Sequence, residues 1–392
     1  MNSPQRILTT HVGSLPRPER VVTQLFAQDS GLNYVQAEFD STMAFEVADV
    51  VRKQAASSVD VVSDGEMSKI SYATYIRHRL TGFELGEMPR AVPRDLDDFP
   101  DFKERLAKLG ATPKYQRPIC TGPIAVKDLG ALHKDIANLQ AACAAAPNAD
   151  GTPRRAFMNS ASPGVIAVFQ PNRYYATTEL YLQALADAMT TEYEAIVAAG
   201  LDLQIDAPDL AMGRHIKFRD VDEQEFLRNA NLQVEALNHA LRNVPAERVR
   251  MHVCWGNYEG PHHHDIGLEK ILDVVLKAKP STVLFEGANP RHAHEWEVWA
   301  DAAKAGRIPD HKILAPGVLD SVNNFIEHPR LVAQRLLTYA NIVGRERVMA
   351  ATDCGFGTFA GFGAIHPPIC FAKLASMAEG AQIASDQLWK RK

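Results

Sequence analysis

The stretch RMHVCWGN, residues 250–257, decides the fold. With Val249 it forms a short apolar run in which His252 and Cys254 stand two apart, so an extended chain points both to the same side. An amphipathic pattern, Leu268–Lys277, and a second apolar run, Thr282–Glu286, follow, giving the order strand, helix, strand of a βα unit. Outward from this unit the alternation recurs. Apolar runs at Ile7–Val12, Val59–Asp64, Ala156–Ser160, Leu203–Asp206, Ile313–Val318 and Val348–Thr352 bring the count to eight, with helical patterns at Thr178–Ala199, Glu223–Leu241 and Pro329–Val343 among them. Eight strands in such an alternation predict an α/β fold, a TIM (β/α)8 barrel.

One apolar run, Pro118–Ile124, exceeds this count. It lies between the second and third strands, in a segment of about residues 85–155 that begins in the Pro- and Asp-rich stretch Met88–Phe102 and ends in PNADGTPRR. That composition reads as an insertion rather than a second domain. Residues 1–392 are therefore expected to form a single catalytic barrel, since α/β barrels run well past about 250 residues as one unit.

The net charge of −5, with acidic and basic residues interspersed, leaves no basic stripe that would track a phosphate backbone, so no nucleic-acid partner is expected. No run of about 18 apolar residues occurs, and MNSPQRILTTHVGS lacks the apolar core of a leader, so the expectation is a cytoplasmic protein with no membrane partner. Five cysteines without framework spacing argue against disulfides. Cys120, Cys143 and Cys370 sit in settings that suit small core hydrophobes, and PHHHD, residues 261–265, reads as a solvated loop.

His252 and Cys254 become more informative beside two other strand ends. VLFEGANP places Glu286 at the end of its strand, and VMAATDCG places Cys354 just past the last one. The C-terminal rim of a barrel is where side chains from different strands converge. Two thiolates, an imidazole and a carboxylate are a donor set suited to tetrahedral zinc. For Glu286, the alternative is an ion pair with a nearby cation such as Arg291.

This ordered set resembles the catalytic C-terminal barrel of the cobalamin-independent methionine synthase family, over most of the chain. The resemblance implies that His252, Cys254, Glu286 and Cys354 bind Zn2+, without cobalamin, and activate a small thiol for alkyl transfer. THVGSLPRP, SDGEMSK and QIDAPDL are similar to further family motifs, which implies that Gly13 and Ser14 face the carboxylate of an amino-acid thiol while Glu66 and Asp206 receive its amine. The family's catalytic histidine is missing from GVLDSVNNFIEH, residues 317–328, leaving Asp320 and His328 as candidate acids. Its folate-stacking tryptophan is also missing, with Phe169, Tyr174 or Tyr175 as candidate substitutes.

Short relatives of the family include epoxyalkane:coenzyme M transferases. Two substrate pairs therefore stand open: homocysteine with a methylated folate, or coenzyme M with an epoxide. Glu66 and Asp206 suit the ammonium of homocysteine, whereas Arg214 and His215, in DLAMGRH, would suit a sulfonate. A third reading, from another class, is a non-catalytic binding barrel with a closed structural zinc.

Overall fold

The computed structural model describes residues 5–86, 92–108 and 117–389. Its strands are β1 (Leu8–Thr9), β2 (Val61–Val62), β3 (Phe83–Gly86), β4 (Arg117–Cys120), β5 (Arg155–Ala161), β6 (Asp202–Asp206), β7 (Val249–Val253), β8 (Thr282–Phe285), β9 (Ile313–Leu319) and β10 (Met349–Thr352). Eight of them form one parallel sheet in the order β1-β10-β9-β8-β7-β6-β5-β2, which is the expected TIM barrel. All eight anticipated apolar runs overlap these strands, because a strand covered on both faces reads as a nearly continuous hydrophobic run. The seam between β1 and β2 is closed by side chains: Thr10 Oγ1 donates to Val61 O (3.0 Å) and Ser63 Oγ to Gly13 O (3.2 Å).

Two apolar layers result. Val12, Val61, Phe157, Leu284, Ile313, Ala315, Met349 and Ala351 form one buried cluster, and the larger core lies between the sheet and its helices. On β7 the alternation separates them: Val249, Met251 and Val253 belong to the larger core, while Arg250 stacks over Phe157 of the smaller cluster, 3.9 Å from the ring centroid. His252 and Cys254 continue the Arg250 register to the strand's C-terminal end.

The apolar run at Pro118–Ile124 pairs in part, as β4, with β3 in an antiparallel hairpin outside the barrel. Residues 87–91 and 109–116 of the insertion, including the start of Met88–Phe102, lie outside the described residues. The insertion is shorter at its C-terminal side than the sequence suggested. The helix Gly130–Ala145, anticipated as part of the excursion, buries Leu132, Ile136 and Leu139 in the main core and serves as the barrel helix between β2 and β5. Its alanine-rich composition hid that apolar face.

Candidate metal centre and adjoining cavity

Strand ends bring three sulfur and nitrogen donors together. His252, at the end of β7, and Cys254, just past it, meet Cys354, two residues after β10, with one ligand atom from each lying within 4.8 Å of the others. All three are buried. Burial, the neighbouring Cys254 and then Glu286 and Asp353 push the Cys354 thiol well above its usual range. Two thiols and an imidazole crowded beside carboxylates and held away from water are donors that a thiophilic divalent metal can bind as thiolates and imidazole, so the residues fit zinc.

Glu286 follows β8 and reaches the edge of this group, its Oε1 lying 3.8 Å from Cys354 Sγ. The carboxylate also has protein partners. Oε1 accepts from the Trp255 N–H (2.9 Å), and Oε2 accepts from Asn289 Nδ2 (2.6 Å) and from Arg291. Of the sequence alternatives for Glu286, the ion pair with Arg291 is present, and the carboxylate also stands beside the Cys354 thiol.

Beneath this rim sits Asp353, which sequence reading passed over. Its carboxylate accepts from the N–H groups of Gly287, Ala288 and Asn289 (2.8 Å each) and from Asn289 Nδ2 (2.7 Å), tying the loop after β8 to the end of β10. Burial, then the Glu286 charge, raise Asp353 to about 6. The signal was present in the Asp-Cys pair and in GANP, but a carboxylate that organises a loop far away in sequence leaves no local period.

A cavity of about 770 Å³ opens over the donors. Ser14, Glu66, Asp206, His215, His252, Cys254 and Cys354 all line it. Glu66 is buried at φ +55, and its Oε2 lacks a hydrogen bond, although Arg17 stands 4.0 Å away. Burial, followed by repulsion from Asp206, raises Glu66 to about 8. Asp206 is oriented by Asn159 Nδ2 and Gln204 Nε2 (2.9 Å each), and burial raises it too. Gly13 acts through its backbone: at φ +136 a Cβ would lie 2.3 Å from Asn159 Oδ1, and its N–H is spent on His11 Nδ1 (3.1 Å).

The remaining candidates scatter. Arg214 donates to Phe218 O (2.8 Å) and does not line the cavity. Asp320 holds the turn that follows it, accepting from Val322 N (2.8 Å) and Asn323 Nδ2 (2.5 Å). His328 is exposed and caps the helix Pro329–Val343, its Nδ1 accepting from Arg330 N (3.1 Å). Phe169 joins Tyr72 and Phe359 in an aromatic wall of the cavity, with centroid separations of 5.6, 5.7 and 6.4 Å, while Tyr174 is exposed and neither it nor Tyr175 lines the cavity.

PHHHD is also only partly the solvated loop anticipated. His263 and His264 are exposed enough to fit that reading and both approach Asp98. His262 is buried, because its Nδ1 meets Asp265 (3.0 Å) and its Nε2 meets Tyr258 O (3.1 Å).

No protein-family model matches the chain. Among curated proteins it is similar to the methionine synthase of Saccharolobus solfataricus, 25% identical over 98% of this chain and 96% of that one. It is 24% identical to the methionine synthase of Sulfolobus acidocaldarius, over 98% of this chain and 94% of that one. Its fold matches that of a B12-independent methionine synthase from Shewanella sp. W3-18-1, solved in complex with selenomethionine, with a TM-score of 0.73 at 18% identity, covering 98% of this chain and 99% of that one.

Proposed function

We propose that this chain, a homologue of the methionine synthases along its whole length, is a zinc-dependent S-methyltransferase that methylates homocysteine without cobalamin. The observation that carries the reading is the juxtaposition, in one cavity, of the His252, Cys254 and Cys354 donors with a buried carboxylate oxygen of Glu66 that has no hydrogen bond among the described residues. His252, Cys254 and Cys354 would hold the metal, with Glu286 beside Cys354 as the candidate fourth donor. A bound zinc supplies one thing, a lowered proton affinity for that sulfur, so that the thiol is present as thiolate.

The chain's own residues supply the rest. Burial and the nearby Asp206 disfavour the ionised form of Glu66 despite Arg17 and Lys69, so a ligand that brings a cation within hydrogen-bond reach favours it. An α-ammonium group is such a ligand, and Asp206, held by Asn159 and Gln204, gives it a second acceptor. Tyr72, Phe169 and Phe359 offer ring faces and edges to a planar donor such as a methylated folate. The sulfur then attacks the methyl carbon on the side opposite the leaving atom, with both reactants held in one chamber.

A sulfonate thiol finds less support. Arg214 is engaged with Phe218 O, and Lys103, the lysine in the cavity lining, donates to Asp97 (3.0 Å). The test is proton release from zinc-loaded protein on titration with homocysteine and, separately, with 2-mercaptoethanesulfonate. Release with homocysteine supports the proposal. Release with the sulfonate alone would redirect it to coenzyme M and epoxide chemistry, and silence with both would leave a closed structural zinc.

A further inference from the structure

We propose that His215 is the catalytic proton carrier of this transfer, a role that rests on the methyltransferase reading above. His215 ends the 3-10 turn Met212–Arg214 beyond β6, which is docked on the metal-side rim by a bond from Met212 N to Cys254 O (3.1 Å). The residue lines the same cavity as the two cysteines. Its two ring nitrogens are in opposite situations. Nδ1 lies 2.9 Å from Asp265 Oδ1 and 3.5 Å from Asp95 Oδ2, whereas Nε2 is buried with no hydrogen-bond partner among the described residues.

An unpaired buried polar atom costs about 1–3 kcal/mol, so one that faces a reaction chamber calls for a chemical use. Asp265 makes that use specific. It is fixed by His262 Nδ1 (3.0 Å) and His292 Nε2 (3.1 Å), with Arg291 at 3.9 Å, and, against the effect of burial, His215 itself, then His262 and His292, hold its carboxyl far below the ordinary range. A permanent carboxylate at Nδ1 keeps a proton there and leaves the lone pair on Nε2, the arrangement that orients a histidine acid–base group. The other ionisable groups about the ring are Asp95, itself bonded by Tyr258 (3.1 Å), and His262, whose ring centroid is 5.9 Å away. Gly256, at φ +117, leaves the approach open: a Cβ there would lie 3.8 Å from Nε2.

The proton balance closes on this one atom. The thiol S–H bond breaks as homocysteine binds and its proton is released to solvent, from which His215 Nε2 takes up one proton once the methyl donor is in place. The sulfur forms a bond to the methyl carbon as the bond from that carbon to the donor nitrogen breaks, and the nitrogen takes the proton from Nε2. The ring returns to its starting state, and the products are a methyl thioether and an N–H amine. His215 thereby supplies the acid that residues 317–328 lack.

The test compares wild type with His215→Gln, which keeps a donor for Asp265, using homocysteine and two methyl donors. 5-Methyltetrahydrofolate leaves as an amine that needs a proton, and trimethylsulfonium leaves as neutral dimethyl sulfide. The variant is expected to bind homocysteine as wild type does and to lose about 10²–10⁴-fold in kcat with the folate. With the sulfonium its rate should fall within a few-fold of wild type. Equal losses with both donors, or no loss with either, would overturn the proton-carrier role while leaving methyl transfer standing. A wild-type protein that binds homocysteine but methylates it from neither donor would overturn both.

Discussion

At the scale of single residues, the site combines groups that are individually unfavourable. Cys354 is a buried thiol beside another thiol and two carboxylates, a position that favours neutral sulfur until a cation arrives. Cys354→Ser is therefore expected to lower zinc content, read by metal analysis of protein purified at equal free zinc, and to abolish methyl transfer. Full zinc together with full activity in that variant would remove the metal assignment. Glu66 makes a pH prediction through a ligand that has no thiol to titrate. Burial raises its carboxyl to about 8, while an ammonium needs the ionised form. Affinity for methionine should rise by up to about tenfold per pH unit below 8, because each unit multiplies the ionised fraction by ten, and should level off above it until the ligand's own ammonium deprotonates. In Glu66→Gln the affinity should be weaker and flat over the same range, and a parallel rise in both proteins would place the titrating group elsewhere.

Elements show why some of this was legible in sequence. The eight barrel strands were readable because a strand covered on both faces must be apolar throughout, and the convergence of His252, Cys254 and Cys354 at the rim because period two and strand ends are local properties of the sequence. The hairpin strand Phe83–Gly86 escaped because half of it faces water and its four residues carry no alternation worth reading. The Asp265 hub escaped for another reason: His215, His262 and His292 meet it only after three separate loops have folded, and nothing periodic records that. His328 looked like an acid in sequence because a histidine near the seventh strand was sought, yet it stands before a Pro at the first helical position, where a side-chain acceptor caps the free N–H groups. His328→Ala should accordingly cost about 0.5–2 kcal/mol in denaturant unfolding and leave kcat unchanged. A large kcat loss at unaltered stability would return His328 to the reaction.

On the scale of the whole molecule, the donors join parts of the barrel that the backbone joins only indirectly. In the sheet order β7 and β10 are separated by β8 and β9, yet His252, Cys254 and Cys354 bridge them at the rim, and Asp353 ties the loop after β8 to the same end. A metal held there would act as a clasp from β7 to β10, the latter paired directly with β1 at the side-chain-closed seam. Because ligands from distant strands do not preassemble in the unfolded chain, metal binding counts as folding free energy: at free zinc a thousand times the dissociation constant it contributes about 4 kcal/mol. Chelation should lower Tm by several degrees, since a kcal/mol shifts Tm less as chains lengthen. Local opening should follow the clasp rather than spread evenly. Amide exchange is expected to quicken in residues 254–257, 286–289 and 353–358, while the backbone amides of β2 and β5, strands that carry none of the donors, keep their protection. If the protein is shown by metal analysis to have lost its zinc and neither Tm nor exchange changes, the metal does not join these strands, and the rim must then be held by Asp353 and its backbone donors alone.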